Sequence, residues 1–354
     1  MSVRVAVVGL GWAGRELWLP RLREHADFEV VAAVDADPAA RAAFGAAAGI
    51  AVHPAVDALT AREVDLAVVA VPNHLHAEVA GTLLTGGIPV FLEKPVCLTA
   101  AEVDALAAAE RGGAVLLAGS AARHRGDVAA LRRLIPDLGG VRHVDLAWVR
   151  ARGVPRSGWF TRRDKAGGGV LFDLGWHLLD ALAFLLGPVG FAQVVGVTSD
   201  DFVNADGWGA AWRRDRSAAD PADVEDTARG FLVREDGVSV SLRTSWASHE
   251  ALDASLIRVE GSAGVAELRC TFGFSPNRQP EPVLTLTREG TTTRLAVPAE
   301  PIGAEYRRQL DGLAALLADP ANRGRAVAEA RTNVRTIESF YASARSAGAT
   351  PAFR

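Results

Sequence analysis

The first residues of the chain place a glycine-rich motif directly after an apolar run. The run VRVAVVG is almost entirely Val and Ala, which is typical of a parallel strand buried on both faces. The motif GLGWAG follows the run and opens a segment that can form a helix, although Pro20 interrupts it. A second strand-like run ends at Asp35, 21 residues after Gly14. This order of strand, glycines, helix and acidic residue predicts a dinucleotide-binding fold.

The glycines of the motif have a physical purpose in such a fold. The backbone must turn tightly and let a pyrophosphate reach the N-terminus of the helix, where free N–H groups favour anions. Asp35 would accept hydrogen bonds from ribose hydroxyls, and no Arg follows it at positions 36–38 to receive a 2′-phosphate. The sequence therefore favours NAD over NADP, and the alternative is a glycine turn in another α/β protein. We expect the motif to bind the cofactor through Gly9, Gly11, Trp12, Ala13 and Gly14.

Strand-like and helix-like segments alternate up to about residue 121. Apolar runs at 66–72, 88–92 and 114–119 are separated by helical segments, one of which opens at Thr99 with the capping-box partner Glu102. Strands alternating with helices form βαβ units with right-handed crossovers. We therefore predict that residues 1–121 form a Rossmann domain with a doubly wound parallel sheet.

The pattern changes in residues 122–302. Several β-rich runs are joined by short turns, and the pairs Asp236-Gly237 and Glu289-Gly290 are typical of hairpins. Helical segments at 127–135 and 174–186 interrupt these runs, so we predict an α+β domain built on an antiparallel sheet. Two amphipathic helices, separated at Asp319-Pro320, are expected over 303–348 and should pack near the first domain. The polar segment 200–226 is the best candidate for a functional loop.

Charge and cysteine content exclude several classes of protein. The net charge is -4 and the pI about 6.1, which removes the basic surface expected of a dedicated nucleic-acid binder. The N-terminus has neither a basic region before an apolar one nor a cleavage site, so we expect a cytoplasmic protein without a membrane partner. Cys97 and Cys270 are too few for a disulfide framework or a cysteine metal cage.

Lysine is rare in this chain, which draws attention to its position. Of the 38 basic residues only Lys94 and Lys165 are lysines. Lys94 lies in Glu93-Lys94-Pro95 at the carboxyl end of a predicted parallel strand, where open α/β sheets bind ligands. An ammonium there can hydrogen-bond a substrate hydroxyl and assist proton movement. The alternative is a surface ion pair between Glu93 and Lys94.

A third cluster follows three consecutive glycines. In GGGVLFDLGWHLLDAL, Asp173, His177 and Asp180 recur at steps of four and three, which places them on one face of a helix. A carboxylate one turn from an imidazole is typical of a general acid/base. Two alternatives remain: Asp173 caps the helix while His177 merely packs, or the helix holds a metal. We expect no metal, because no further histidine cluster supports one.

Taken together, these motifs resemble one family. The set GLGWAG, VPNHLHAEVA, EKP and GGGVLFDLGWHLLD, in this order, resembles the Gfo/Idh/MocA oxidoreductases. The resemblance covers nearly the whole chain. It implies an N-terminal Rossmann domain and a C-terminal domain with a large open antiparallel sheet, whose free face commonly makes homodimers or homotetramers. It also implies reversible, NAD-dependent hydride transfer at a carbinol carbon.

The resemblance assigns roles residue by residue. Lys94 and His177 would handle the substrate hydroxyl, while Asp173 would orient and polarise. After the strand ending at Gly119, relatives carry an Asn or Gln where this chain has Ala121, and only Arg123 matches their pattern. The implied cofactor contacts near the nicotinamide are Pro72, Asn73, His76, Glu93 and Lys94.

The substrate is the least constrained part of the interpretation. The expected class is a secondary alcohol of a sugar, amino sugar or cyclitol, in a bacterial secondary-metabolite pathway for an aminoglycoside or deoxysugar. The family also includes NAD-dependent glycosidases that oxidise transiently and regulators that have lost chemistry. The Arg-rich stretch 150–163 and the acidic loop 200–223 are either substrate contacts or solvated loops. Candidate substrate residues, including three indoles suited to stacking on a sugar ring, are Arg123, Trp159, Asp180, Trp208 and Trp212.

Overall fold

The computed structural model describes residues 2–155, 158–212 and 221–348. The chain divides into two compact units. Unit 1 comprises the residues up to Gly119 together with Tyr306–Arg331. Unit 2 comprises Ser120–Glu305 and the chain from Thr332 onward. The helical tail is therefore shared between the two units.

Unit 1 is built on a parallel sheet. Within its described residues the six strands follow the order β3-β2-β1-β4-β5-β6, and every neighbouring pair is parallel. This is the doubly wound order, in which the direction of winding reverses between β1 and β4 and ligands bind at the carboxyl ends of the strands. The predicted Rossmann fold is confirmed. The strands are β1 (Val3–Val8), β2 (Phe28–Val34), β3 (Ala51–His53), β4 (Leu66–Val69), β5 (Val90–Leu92) and β6 (Leu116–Ala118).

The helices of unit 1 follow the strands as the sequence predicts. All four residues of β4 are buried, because crossover helices cover both faces of the sheet. The capping box of Thr99 and Glu102 is present at the start of α4. These helices are α1 (Leu19–Glu24), α2 (Pro38–Ala48), α3 (His76–Thr85) and α4 (Ala100–Gly112).

The helix that follows the glycine motif begins with a π-helical segment. Residues Ala13–Trp18 form this segment, and Leu19 donates its N–H to the carbonyl of Gly14, five residues earlier. Pro20 then lies in the first turn of α1, where a missing N–H costs little. The change of register explains how the helix accommodates the proline that interrupts its sequence pattern.

Unit 2 is built on a mixed sheet. Its eight strands, counted over the described residues, follow the order β14-β13-β12-β11-β7-β10-β9-β8. The pair β7 and β10 is parallel and the other neighbouring pairs are antiparallel, so the predicted antiparallel sheet is confirmed with this one exception. The strands are β7 (Val141–Val149), β8 (Phe191–Ser199), β9 (Thr227–Arg234), β10 (Ser239–Ser245), β11 (Ala254–Gly261), β12 (Gly264–Cys270), β13 (Val283–Arg288) and β14 (Thr291–Leu295).

Both predicted hairpin turns connect neighbouring strands. Gly237, with φ +86°, lies between β9 and β10, which are paired antiparallel. Glu289 and Gly290 both have positive φ, at 48° and 77°, between β13 and β14. Two consecutive positive φ values are typical of the turn that best matches the twist of paired strands.

The two faces of this sheet differ in polarity. In β10, Val240 and Leu242 are buried, whereas Ser239, Ser241 and Arg243 lie on the other face and are half-buried. Pairing register places one row of that open face across all eight strands of the described sheet. The row reads Val195, Phe231, Ser241, Asp145, Arg258, Glu267, Thr285 and Arg294.

The remaining helices correct one expectation about the tail. The sequence predicts two tail helices separated at Asp319-Pro320. The structure has a further break at Gly312, which separates α8 from α9. A 3-10 turn at Pro320–Asn322 precedes the long last helix. The helices are α5 (Gly126–Leu134), α6 (Arg163–Ala166), α7 (Trp176–Leu186), α8 (Ala304–Asp311), α9 (Leu313–Ala318) and α10 (Arg325–Gly348).

One helical stretch, Arg163–Leu186, passes the test of length and composition for crossing a membrane. Its apolar window is 83% buried within the protein, as in the core helix of a soluble protein. This stretch is therefore weak support for a membrane span.

Candidate active site

Each glycine of the GLGWAG motif meets a different surrounding. Gly9 has φ +94°, and a Cβ added there would lie 2.5 Å from the carbonyl oxygen of Ala70. A Cβ on Gly14 would overlap the carbonyl oxygen of Gly9. By contrast, a Cβ on Gly11 would meet nothing within 4 Å. Gly9 and Gly14 thus allow the tight turn and the close helix packing, and Gly11 leaves open space where a pyrophosphate can approach the backbone. The motif fits a dinucleotide, with Trp12 and Ala13 at the start of the helix.

Asp35 is tied to the glycine motif by its carboxylate. Oδ2 accepts the N–H of Leu10 at 2.7 Å, and Oδ1 accepts the N–H of Asp37 at 2.8 Å. The Asp37 side chain in turn caps α2 by accepting the N–H of Ala39. Arg41, which the sequence interpretation passed over, donates to the carbonyls of Asp35 and Ala36. The carboxylate is therefore held at the end of β2 with a fixed orientation.

Glu93 in the EKP segment accepts two hydrogen bonds. Its Oε1 accepts the indole N–H of Trp18 at 2.8 Å, and its Oε2 accepts the backbone N–H of Lys94 at 3.0 Å. Burial raises the pKa of the Glu93 carboxyl, against the opposing effect of the Lys94 charge. The alternative of a surface ion pair does not describe this carboxylate, because it is enclosed beside the helix that follows the glycine motif. Lys94 is half-buried directly after β5, and the Lys94–Pro95 peptide bond is cis.

His76 is buried and spans two loops. Its Nδ1 lies 2.6 Å from the carbonyl oxygen of Pro95, and its Nε2 lies 2.9 Å from that of Val71. Burial lowers the pKa of His76 to about 4. A neutral imidazole carries a single N–H, so at pH 7 it donates to one of these two carbonyls and only lies close to the other. Pro72 and Asn73, two of the expected cofactor residues, lie in the connection before α3.

Asp173 and His177 lie on either side of a change in helical register. Asp173 belongs to the π-helical segment Leu171–Gly175, whereas His177 lies in α7. Asp173 Oδ2 accepts the indole N–H of Trp246 at 2.9 Å. The guanidinium of Arg150 lies 3.8 Å from the same oxygen. π-Helical insertions occur often at functional sites, and this one sets where Asp173 points relative to the rest of the helix.

His177 is half-buried and packs beside an aromatic ring. The centroids of its imidazole and of the Trp148 indole are 5.5 Å apart. Trp148 also lies under the guanidinium of Arg150, at 5.2 Å. Arg150 therefore contacts the surroundings of both Asp173 and His177.

The triple glycine is held by a buried glutamate that the sequence interpretation missed. Glu225 Oε1 accepts the N–H groups of Gly169 and Leu171, at 3.0 and 3.1 Å, and the Tyr341 hydroxyl at 2.7 Å. Burial raises the pKa of Glu225. A Cβ on Gly169 would overlap the Glu225 carbonyl oxygen, and a Cβ on Gly168 would overlap the Tyr341 hydroxyl. The glycines thus permit the close approach that fixes the segment before Asp173.

Two of the candidate substrate residues bind each other. Arg123 donates to Oδ1 of Asp180, and the Ser120 hydroxyl donates to Oδ2. Both Asp180 oxygens are engaged in this way, which connects the turn before α5 to α7. The pair therefore holds this turn against α7. A direct contact of either side chain with substrate stays a prediction.

The three candidate indoles lie in different surroundings. Trp159 packs against Phe160, with ring centroids 4.8 Å apart. Trp208 packs against Phe202, and Trp212 lies under the guanidinium of Arg150. Arg156 and the acidic residues Asp215 and Asp220 lie outside the described residues. Over the described part of the chain, no group of three His, Cys, Asp or Glu side chains is placed to hold a metal ion.

Comparisons with known proteins agree with this architecture. A family model described as "Oxidoreductase family, NAD-binding Rossmann fold" matches residues 3–119, and the model of the GFO/IDH/MocA C-terminal domain matches residues 128–267. The chain is also 30% identical to the D-glucoside 3-dehydrogenase of Escherichia coli, over 69% of this chain and 70% of that protein.

The chain belongs to the Gfo/Idh/MocA oxidoreductase family.

Two further members and neighbours of the family are informative. A protein of Amycolatopsis mediterranei, provisionally named as the oxidoreductase subunit of UDP-kanosamine synthase, is 76% identical over the full length of both chains. The crystal structure of GenD2 from gentamicin A biosynthesis, in complex with NAD, has a TM-score of 0.76 at 24% identity and covers 98% of this chain and 95% of that one. This Gfo/Idh/MocA protein is thus an NAD-binding oxidoreductase with the two-domain fold of its family.

Proposed function

We propose that the protein is an NAD-dependent dehydrogenase that oxidises a secondary hydroxyl of a UDP-linked hexose to a ketone. The observation that carries this proposal is the 76% identity, over full length, to the protein named as the oxidoreductase subunit of UDP-kanosamine synthase. Kanosamine is an amino sugar, and replacing a hydroxyl by an amine requires a carbonyl at that carbon. An oxidoreductase in such a synthesis supplies the carbonyl, which an amine donor then consumes.

The proposed chemistry assigns a task to each catalytic residue. NAD, when bound, accepts the hydride from the carbinol carbon. The hydroxyl must lose its proton as the hydride leaves, so a base must lie within hydrogen-bond reach of it. His177 carries the side chain type that titrates nearest neutrality, and Lys94 carries an ammonium that can donate a hydrogen bond to a hydroxyl.

Asp173 orients the reacting groups in this proposal. Its Oδ2 is fixed by the Trp246 indole and approached by Arg150, so the carboxylate has a single direction. A fixed carboxylate one turn from an imidazole stabilises the charge that develops when the imidazole takes a proton. The π-helical segment and the Glu225 contacts keep this carboxylate in place.

The test is a comparison of substrates with purified protein and NAD. UDP-glucose, free glucose, methyl glucoside and myo-inositol are incubated separately, and NADH is followed by absorbance while an alkoxyamine traps the ketone and draws the reaction forward. We expect NADH and a trapped oxime from UDP-glucose in stoichiometric amounts. Lys94→Met should lower turnover by at least about a hundredfold while NADH binding is kept, because a positioned acid/base group contributes at least that much.

Two results would point elsewhere. Oxidation of myo-inositol but not of any UDP-hexose would reject the proposed substrate. Release of free UDP without net NADH would indicate a glycosidase that oxidises only transiently.

A further inference from the structure

A pocket of about 530 Å³ lies within unit 2. This volume is typical of sites that hold a small organic molecule. The proposed function assigns no role to it. Among the residues that line it are Arg152, Trp208, Trp212, His249, Glu250 and Asn277.

Aromatic side chains and the guanidinium of Arg152 line this pocket, and Arg150 contacts one of the lining indoles. Trp208 packs edge-on against His249, with centroids 5.4 Å apart, and the guanidinium of Arg152 lies 5.9 Å from the Trp208 ring. Trp212 lies 5.3 Å from the guanidinium of Arg150. Glu250, an acidic residue of the lining, is 3.7 Å from Arg243. The pocket therefore combines faces on which a planar ring can stack with positive charge suited to an anion.

The contact between Arg150 and Trp212 depends on a glycine. A Cβ on Gly153 would overlap Cδ of Arg150 and lie 3.1 Å from the Trp212 indole. The absence of this atom lets both side chains pack over the backbone, and Arg150 Nη1 donates to the Gly153 carbonyl at 3.4 Å. The arrangement of the guanidinium and the indole is thus built into the local backbone.

Arg150 also connects this pocket to the candidate catalytic carboxylate. One side of its guanidinium faces the Trp212 ring, and Nη1 lies 3.8 Å from Asp173 Oδ2. A single side chain therefore separates the pocket lining from Asp173. A substrate with its reacting carbon at Asp173 would extend past Arg150 to reach the pocket.

Building on the proposed function, we propose that this pocket binds the pyrimidine nucleotide end of the substrate. The base stacks on Trp208 or Trp212, and the diphosphate lies near the guanidinium groups of Arg150 and Arg152. Stacking on an indole and pairing with guanidinium are the contacts that recognise a base and a phosphate. The pocket thereby determines that the substrate is a nucleotide sugar and not a free sugar.

Asn277 adds a preference among bases. Its Nδ2 donates to the carbonyl of Ala251 at 3.1 Å and to Oδ1 of Asp253 at 3.4 Å. These two acceptors fix the amide and direct its Oδ1 elsewhere as an acceptor. An amide oxygen suits the imide N–H of uracil or thymine, whereas cytosine presents an acceptor at that position.

The experiment measures binding of UDP, uridine and inorganic pyrophosphate by calorimetry, with the full chain and without NAD. We expect UDP to bind more tightly than either fragment. Trp208→Leu or Trp212→Leu should weaken UDP about tenfold, the order expected for losing one base stack. Arg152→Gln should weaken UDP and pyrophosphate but leave uridine unchanged. Arg111→Gln, which removes an exposed arginine at the end of α4 in unit 1, is the charge-matched control.

NADH affinity and the melting temperature show that each variant is folded. The pocket assignment fails if UDP does not bind, if pyrophosphate binds as tightly as UDP, or if the three pocket variants bind UDP like the parent. If UDP binding depends on the pocket but no UDP-hexose is oxidised, the nucleotide site stands and the proposed reaction falls. If all three variants oxidise a UDP-hexose with the KM of the parent, the proposed reaction stands and the nucleotide site in this pocket falls.

Discussion

At the scale of single residues, the candidate site depends on contacts at different separations along the chain. Asp35 accepts the N–H of Leu10 in the glycine motif, 25 residues away, and its place at the end of the second strand is visible in the sequence. The contact between Trp246 and Asp173 joins residues 73 apart, and no local spacing predicts it. Glu225 gave no sequence signal either, since it lies at the end of a polar loop with other acidic residues.

We expect the preference for NAD over NADP to rest on Asp35. Asp35→Asn keeps an oxygen that can accept the Leu10 N–H but removes the charge that repels a 2′-phosphate. We expect NADH to bind less tightly and NADPH more tightly. The difference between their binding free energies should narrow by on the order of 1.5 to 3 kcal/mol. Fluorescence titration with both nucleotides measures it. Equal affinities in the unaltered protein would remove the basis of this prediction.

In the proposed reaction, Trp246 acts through its hydrogen bond to Asp173. Trp246→Phe keeps an aromatic ring in the core but removes the buried N–H that Asp173 accepts. Such a loss costs about 1–3 kcal/mol. We expect kcat to fall roughly tenfold or more with KM little changed and the pH profile of kcat displaced. A variant that loses stability but keeps kcat and the pH profile would show that Trp246 is only a core residue.

His76 makes the stability of the protein depend on acid pH. Its pKa is lowered to about 4 by burial, with the nearby charges of Lys94 and His74 acting in the same direction. Because the pKa of His76 is lower in the folded protein, the unfolded chain binds the proton first as pH falls. The contribution of His76 to stability is therefore fully present above about pH 6.5 and is lost as pH falls toward 4. The loss amounts to about 3 kcal/mol.

The substitution His76→Gln removes this titration. Urea unfolding at several pH values should show that the parent is more stable than the variant at pH 7. The difference in free energy of unfolding should shrink as pH falls from 6.5 to 4.5. A difference that stays constant over this range would contradict the assignment to His76.

At the scale of elements, alternation and turn chemistry predicted most strands correctly. The hairpins at Gly237 and at Glu289-Gly290 were visible because those turns require positive φ. The parallel pairing of β7 with β10 was not, because it joins strands about 90 residues apart and leaves no local pattern. The two π-helical segments were also missed, since a change from i→i+4 to i→i+5 bonding depends on packing more than on composition.

The last helix packs on the sheet through two glycines. The three atoms nearest to a Cβ on Gly196 all belong to the Phe340 ring, whereas a Cβ on Gly230 would meet both that ring and the carbonyl oxygen of Val195. Overpacking of this kind costs about 1–3 kcal/mol. Gly196→Ala should therefore be rescued in part by Phe340→Leu, and Gly230→Ala should not, because the backbone carbonyl remains.

Denaturant unfolding of the single and double variants measures this difference as a coupling energy. A coupling energy of zero between Gly196→Ala and Phe340→Leu would show that Phe340 is not the obstacle at Gly196.

At the scale of the whole molecule, the open face of the unit 2 sheet is the candidate surface for contacts between copies of the protein. At the β8 and β9 end it exposes Val195 (62%), Val197 (51%) and Phe231 (48%), and toward the centre it carries Asp145 and Arg258. Exposed apolar residues grouped in this way mark an interaction site. We therefore expect a homodimer or homotetramer that uses this face.

Phe231→Asp places a charge in the middle of that apolar group. Light scattering at micromolar concentration should show an oligomer for the parent and a smaller species for the variant. Leu316→Asp, at an apolar residue of α9 that is 36% exposed, is the control and should leave the mass unchanged. A monomeric parent would end the expectation.

The scarcity of lysine gives the half-buried position of Lys94 a practical use. Lys165 is exposed in α6, and these two are the only lysines in the sequence. A reagent that acylates amines therefore encounters very few targets on a protein of 354 residues. The extent of acylation at Lys94, measured relative to that at the exposed Lys165, reports how accessible the end of β5 is to the reagent. A ligand that binds over Lys94 would slow its acylation, and mass spectrometry of the labelled enzyme would detect this for any candidate ligand.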